Sequence, residues 1–234
     1  MEKLSRRSFV TSAAAGITAL GVFGAAGSAA EGQLVWRASE WKLAEFDKLA
    51  KTTARAKVVY NVTSVNDGIF LDSIKNNLNG LHFGFKIPNS EIKIVAGLHG
   101  GANLLNYDDY VWSKYHIGEV LKVTDPKTGK PAERNIFYPS SYEKSAGSPD
   151  DEKSMYQDRA IQTLQERGVQ FLSCHTATEE QSRMLIRRLK LSQPPEDVVQ
   201  DMLAHTLPGV LVVASMVSAL TLLQNEGHYA FLVG

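Results

Sequence analysis

The sequence holds one cysteine, Cys174, so no disulfide can form within a single chain. There is no C-x-x-C pair, which argues against a thioredoxin-like dithiol. There is no G-x-x-x-x-G-K-[ST] phosphate loop, no G-x-G-x-x-G after the first strand, no G-x-S-x-G elbow and no H-E-x-x-H pair, so nucleotide-binding, hydrolase and zinc-protease chemistry lose their usual signatures. No cofactor is expected from what remains. Charge of one sign is also lacking: 25 Lys and Arg balance 25 Asp and Glu. Without a basic block, a nucleic-acid footprint is not expected. After the N-terminus no apolar run approaches the roughly eighteen residues of a membrane span.

What is present begins with an export segment. Lys3, Arg6 and Arg7 form a charged start, and Ser5-Arg6-Arg7-Ser8-Phe9-Val10 matches the twin-arginine pattern. Residues 10–26 are small and apolar, and Ser28-Ala29-Ala30 offers a peptidase cleavage point after Ala30. Residues 1–30 are therefore read as a twin-arginine signal peptide. Their loss removes Lys3, Arg6 and Arg7 against Glu2 and leaves the remainder near −2. The expected location is the periplasm, with no membrane attachment after cleavage. That route carries folded proteins, and an oxidising destination makes the unpaired thiol worth explaining.

Residues 31–55, with Trp36, Trp41, Leu43, Phe46 and Leu49, read as an N-terminal extension with an amphipathic helix over 40–50. Residues 56–234 alternate strands and helices. Apolar runs at 58–62, 92–96, 169–173, 210–214 and 229–233 are expected strands. Asp67 is the expected cap of a helix carrying Phe70, Ile74 and Leu78. Thr176 and Glu179 read as a capping box opening another helix. Ser215 opens a third. Tyr156–Glu166 and the segment after Pro194-Pro195 are expected helices too. Continuous apolar strands are buried on both faces, which predicts an α/β fold with a mostly parallel five-stranded sheet and helices on both faces. Residues 119–150 interrupt the rhythm. Asp125-Pro126-Lys127-Thr128-Gly129 is turn chemistry, and the stretch reads as a hairpin-like surface insertion.

The chemistry concentrates at strand ends. Cys174 closes the third strand just before a helix, where ligands bind in open α/β sheets and where a helix N-terminus favours thiolate. Glu179 and Glu180 oppose that negative charge. A buried, inert cysteine is the competing reading. His175 is adjacent in sequence, and His99 ends the second strand before Gly100-Gly101, whose amides suit an anion. Cys174, His99 and His175 could hold a soft metal only if the fold converges them, and no metal site is assigned. Tyr107, Tyr110, Trp112 and Tyr115 are read as packing, including packing between subunits.

Lys57–Val62, Lys93–Ala96 with its following His-Gly turn, Gly168–Cys174, and the ending Leu207-Pro208-Gly209-Val210, Ala219–Gln224, Glu226–Phe231 together resemble the DsrE/DsrF-like proteins over roughly residues 56–234, with 119–150 as a departure. The resemblance implies a small doubly wound domain assembling as trimers or hexamers. It also implies that Cys174 carries persulfide sulfur between a donor and an acceptor protein. A non-catalytic oligomeric module binding a ligand or metal is the alternative, and a structural subunit using its extension and insertion to bind partners is a third.

Overall fold

A computed structural model describes residues 42–139, 151, 153 and 158–234. Residues 1–30, expected above to be a signal peptide, together with Trp36, Trp41, residues 140–150 and Tyr156, lie outside the described residues. The elements in chain order are α1 (Leu43–Ala50), β1 (Ala56–Val62), α2 (Ile69–Asn79), β2 (Ile92–Leu98), a 3-10 segment (Gly100–Asn106), α3 (Asp109–Lys114), α4 (Ile117–Leu121), α5 (Ile161–Glu166), β3 (Gln170–Cys174), α6 (His175–Leu189), α7 (Pro195–Ala204), β4 (Leu211–Val213), α8 (Met216–Asn225) and β5 (Ala230–Val233). No helix among the described residues is long and apolar enough to cross a membrane.

The five strands form one parallel sheet in the order β4-β3-β2-β1-β5. From β1 to β4 every step runs the same way. Right-handed crossovers therefore put α2, α5, α6 and α7 on one face. That face carries the larger core, with Phe70, Leu71, Ile74, Trp112, Tyr107 and Phe171 nearly or fully buried. The return from β4 to β5 reverses direction, so α8 crosses on the opposite face. There Met216, Leu220 and Leu223 pack on Val59, Val95 and Leu172, with Phe46 and Leu49 of α1 beside them. Gly97 permits this approach, since a Cβ there would meet Met216 Sδ at 2.7 Å.

The expected strands all form, within two residues at each end. β5 departs from expectation in burial: all four of its residues are exposed, because it is an edge strand left uncovered by α8. The expected Asp67 cap is not made. Gly68 takes the N-cap place of α2 at φ +75°, preceded by Asn66 and Asp67 at φ 40° and 53°. Asn and Asp tolerate the left-handed region, and the three together turn the chain sharply from β1 into α2. Residues 119–139 do contain a hairpin-like turn, with one antiparallel bridge between Thr124 and Pro131. It does not lie wholly on the surface. Val123, Ala132 and Phe137 enter the core, and buried Asn135 donates to the carbonyls of Leu105 and Tyr107 at 2.9 and 2.8 Å. The aromatic group packs inside the chain: Tyr107, Trp112 and Tyr115 are buried. Tyr110 stays exposed and stacks on His205 at 4.0 Å.

Candidate functional site

β3 hands its chain to α6 on one face of the sheet, and the neighbouring β4 hands its chain to α8 on the other. The gap between these two strand ends is the topological switch point, where open α/β sheets form ligand crevices. Cys174 stands at this point, paired in register with Val213.

The helix that follows does not open with the expected box of Thr176 and Glu179. Cys174 is itself the N-cap of α6, and its Sγ accepts the Ala177 N–H at 3.4 Å. The box fails because the chain turns helical at His175, two residues earlier than a Thr176 cap requires. Ser215 occupies the N-cap of α8 but its hydroxyl makes no capping bond. Instead the Met216 N–H, the first of α8, donates to Cys174 Sγ at 3.3 Å. The sulfur thus receives amides from the first turns of two helices on opposite faces, and both favour negative charge there.

Thr176 ties the crevice shut. Its N–H and Oγ1 both donate to the Ala214 carbonyl, at 3.3 and 3.0 Å. The thiol is consequently buried, 4% exposed. Burial pushes its pKa above the ordinary thiol value, the amides of Ala177, Met216 and Thr176 pull it down, and the Glu180 carboxylate pushes it up; the net direction is upward. The balance favours the neutral thiol.

The other two expected residues do not converge on the sulfur. His99 follows Leu98, whose register partner is Ser173, so its backbone runs beside Cys174. Its side chain turns to β1, where Nε2 lies 2.6 Å from Asn61 Oδ1, which requires the proton on Nε2. Burial lowers the His99 pKa and favours the neutral ring. His175 begins α6 and is buried, with Nδ1 3.3 Å from Glu179 Oε1 one turn on. Among the described residues no three His, Cys, Asp or Glu side chains form a metal-holding group.

The residues that hold the site were missed in the sequence. Asn103 Oδ1 accepts the Cys174 N–H at 2.8 Å and the Ser173 hydroxyl at 3.0 Å. Its amide donates toward Thr178 Oγ1 at 3.2 Å and Gln181 Oε1 at 3.0 Å. Thr178 Oγ1 in turn donates to the Cys174 carbonyl at 3.0 Å. Asn103 and Asn106, three residues apart in the otherwise apolar segment Ala102 to Tyr107, were the available signal.

Two clefts flank the sulfur without reaching it. One, of about 300 Å³, is lined by Gly100, Gly101, Leu121, Ala177, Glu180 and Met184. The other, of about 90 Å³, is lined by Lys42, Phe46, Val213, Ser215, Ser218 and Leu222. Ala177, at the rim of the first, and the residue after Ser215, at the rim of the second, supply the two amides to Sγ. No protein-family model matches this chain, and no curated protein or solved structure matches it.

Proposed function

We propose that this chain is an exported sulfur-binding or sulfur-transfer protein that carries sulfane sulfur as a persulfide on Cys174. The observation that carries the reading is the site of the only cysteine: a switch point where two helix N-termini direct amides at Sγ. Such donors stabilise a thiolate or the terminal anion of a persulfide once the crevice opens. The resemblance of residues 56–234 to DsrE/DsrF-like proteins supports the same reading, and so does the twin-arginine pattern for a periplasmic location.

The chemistry balances without an external oxidant. The Cys174 thiolate attacks the sulfane sulfur of a donor persulfide. The donor's S–S bond breaks, its thiolate leaves with the electron pair, and a new S–S bond forms at Sγ. An acceptor thiolate then attacks the terminal sulfur and restores the Cys174 thiolate. The partners are a sulfur-donor or acceptor protein and further copies of this chain. His99 acts at most by holding the neighbouring strand end through Asn61, and His175 by anchoring the start of α6 through Glu179.

The buried, double-accepting sulfur also favours a second reading, a non-catalytic binding module in which Cys174 is only a helix cap. The absence of a metal-holding group among the described residues weighs against its metal version. Intact-mass measurement after incubation with a low-molecular-weight persulfide separates the two. The transfer reading expects one or more added sulfur atoms, removed by reductant and absent from Cys174→Ser. A native thiol that takes up no sulfur and resists iodoacetamide leaves the cap reading standing. Sulfur uptake that survives Cys174→Ser sinks the transfer reading.

A further inference from the structure

Among the described residues, one edge of the sheet is unpaired. β5 pairs with β1, and among the described residues no strand pairs with its outer side. Phe231, Leu232 and Val233 are 38%, 41% and 79% exposed. The strand has no charge and no proline, the usual devices that keep an edge from pairing. The opposite edge, β4, is only three residues long and has α1 packed beside it.

The backbone of β5 is arranged symmetrically. Gly234 N–H donates inward to the Asn61 carbonyl at 3.0 Å. Alternate residues of a strand direct their N–H and C=O groups to opposite edges, so Leu232 also faces β1. Phe231 and Val233, one on each side of Leu232, turn theirs outward.

We infer that β5 pairs antiparallel with β5 of a second copy about a two-fold axis at Leu232, joining two sheets into one. In this register Phe231 lies opposite the partner's Val233, and each pair exchanges both N–H···O bonds. Every outward group of both strands is then satisfied. The aromatic and β-branched side chains meet on one face, a favourable cross-strand combination. Leu232 meets its own counterpart at a non-hydrogen-bonded position, where Cα atoms approach to about 4.5 Å. Ala230 lies opposite the partner's Gly234, a pair small enough for the same approach. A two-fold axis sets residues against their own kind, and an uncharged strand sets no like charges together. This is what favours a second copy over an unrelated extended peptide. A strand pair alone buries less than the roughly 1,000 Å² of a stable interface. The start of α2 adds to it: Phe70 packs where a side chain on Gly234 would go, and neighbouring Ile69 is 60% exposed.

Sedimentation velocity on the full chain over a concentration series tests the assembly. An assembly with an even number of copies is expected, and Val233→Lys, at the most exposed position of the strand, is expected to halve its mass with an unchanged circular dichroism spectrum. Leu232→Cys is expected to give a covalent dimer on mild oxidation. Val233→Cys is not, because the two-fold sets those residues beyond disulfide reach. Wild type, whose Cys174 is buried, is the control. A monomer at all concentrations, an oligomer untouched by Val233→Lys, or cross-linking through Val233→Cys but not Leu232→Cys overturns the inference. None of these readouts depends on sulfur chemistry.

Discussion

At Cys174 two opposing influences meet on one atom. Burial favours the neutral thiol, and the Ala177 and Met216 amides favour the thiolate. Because the folded thiol titrates above the ordinary value near 9.0, the unfolded chain ionises first as pH rises. Above that value the unfolded state binds fewer protons than the folded one, so stability falls with pH until the folded thiol also ionises. The contribution is complete below the unfolded pKa and lost above it. Urea unfolding of wild type and Cys174→Ser at a series of pH values should therefore show wild type losing stability through alkaline pH relative to the serine variant. Parallel pH curves would mean that the folded thiol is not held above its ordinary value. The cap itself is a separate quantity. Cys174→Ala, which keeps no acceptor for the Ala177 amide, should cost about 1 kcal/mol through the helix end alone.

Elements were legible where side chains decide them and illegible where the backbone does. The apolar runs at Val58–Val62 and Ile92–Ala96 identify β1 and β2, since only a sheet buried on both faces needs them. The start of α6 could not be read the same way. Thr176 and Glu179 satisfy the capping pattern in sequence, yet the chain turns two residues earlier and gives the cap to a sulfur, from a residue type absent from the usual cap ranking. The tie between the 3-10 segment, β3 and α6 was equally hidden, because Asn103 reaches Ser173, Cys174, Thr178 and Gln181 only after folding brings distant segments together. Its removal tests how tightly these elements are coupled. Asn103→Ala leaves several buried donors and acceptors without partners, each worth about 1–3 kcal/mol when orphaned. A loss of about 3 kcal/mol in denaturant unfolding is expected, together with faster iodoacetamide labelling of Cys174. A variant as stable and as slowly labelled as wild type would show that the network does not hold the site.

For the whole molecule, the strand–helix alternation indicated an α/β fold, but the strand order followed only from the structure. Nothing in Val210–Ala214 or Tyr229–Val233 tells that the chain steps steadily from β1 to β4 and then returns to pair β5 with β1. That return sends α8 to the opposite face, creates the switch point beside Cys174 and, among the described residues, leaves the outer side of β5 unpaired. The thiol is consequently protected only in the folded chain, since its burial depends on α8, the last helix, and on the Thr176 tie to Ala214. A chain crossing unfolded into an oxidising compartment would expose Cys174 before any of these contacts existed. Under the proposed export, a pathway that carries folded proteins would avoid this, which would give the Arg6-Arg7 pair a physical rationale. Replacing both by lysine keeps the charge of the segment and removes the guanidinium pair. Arg6→Lys with Arg7→Lys should leave the protein in the cytoplasm at its full length, read by cell fractionation and intact mass, while wild type appears in the periplasm without residues 1–30. A double-lysine variant that is still exported and cleaved would mean another route, and Cys174 would then meet the oxidising compartment before it is buried.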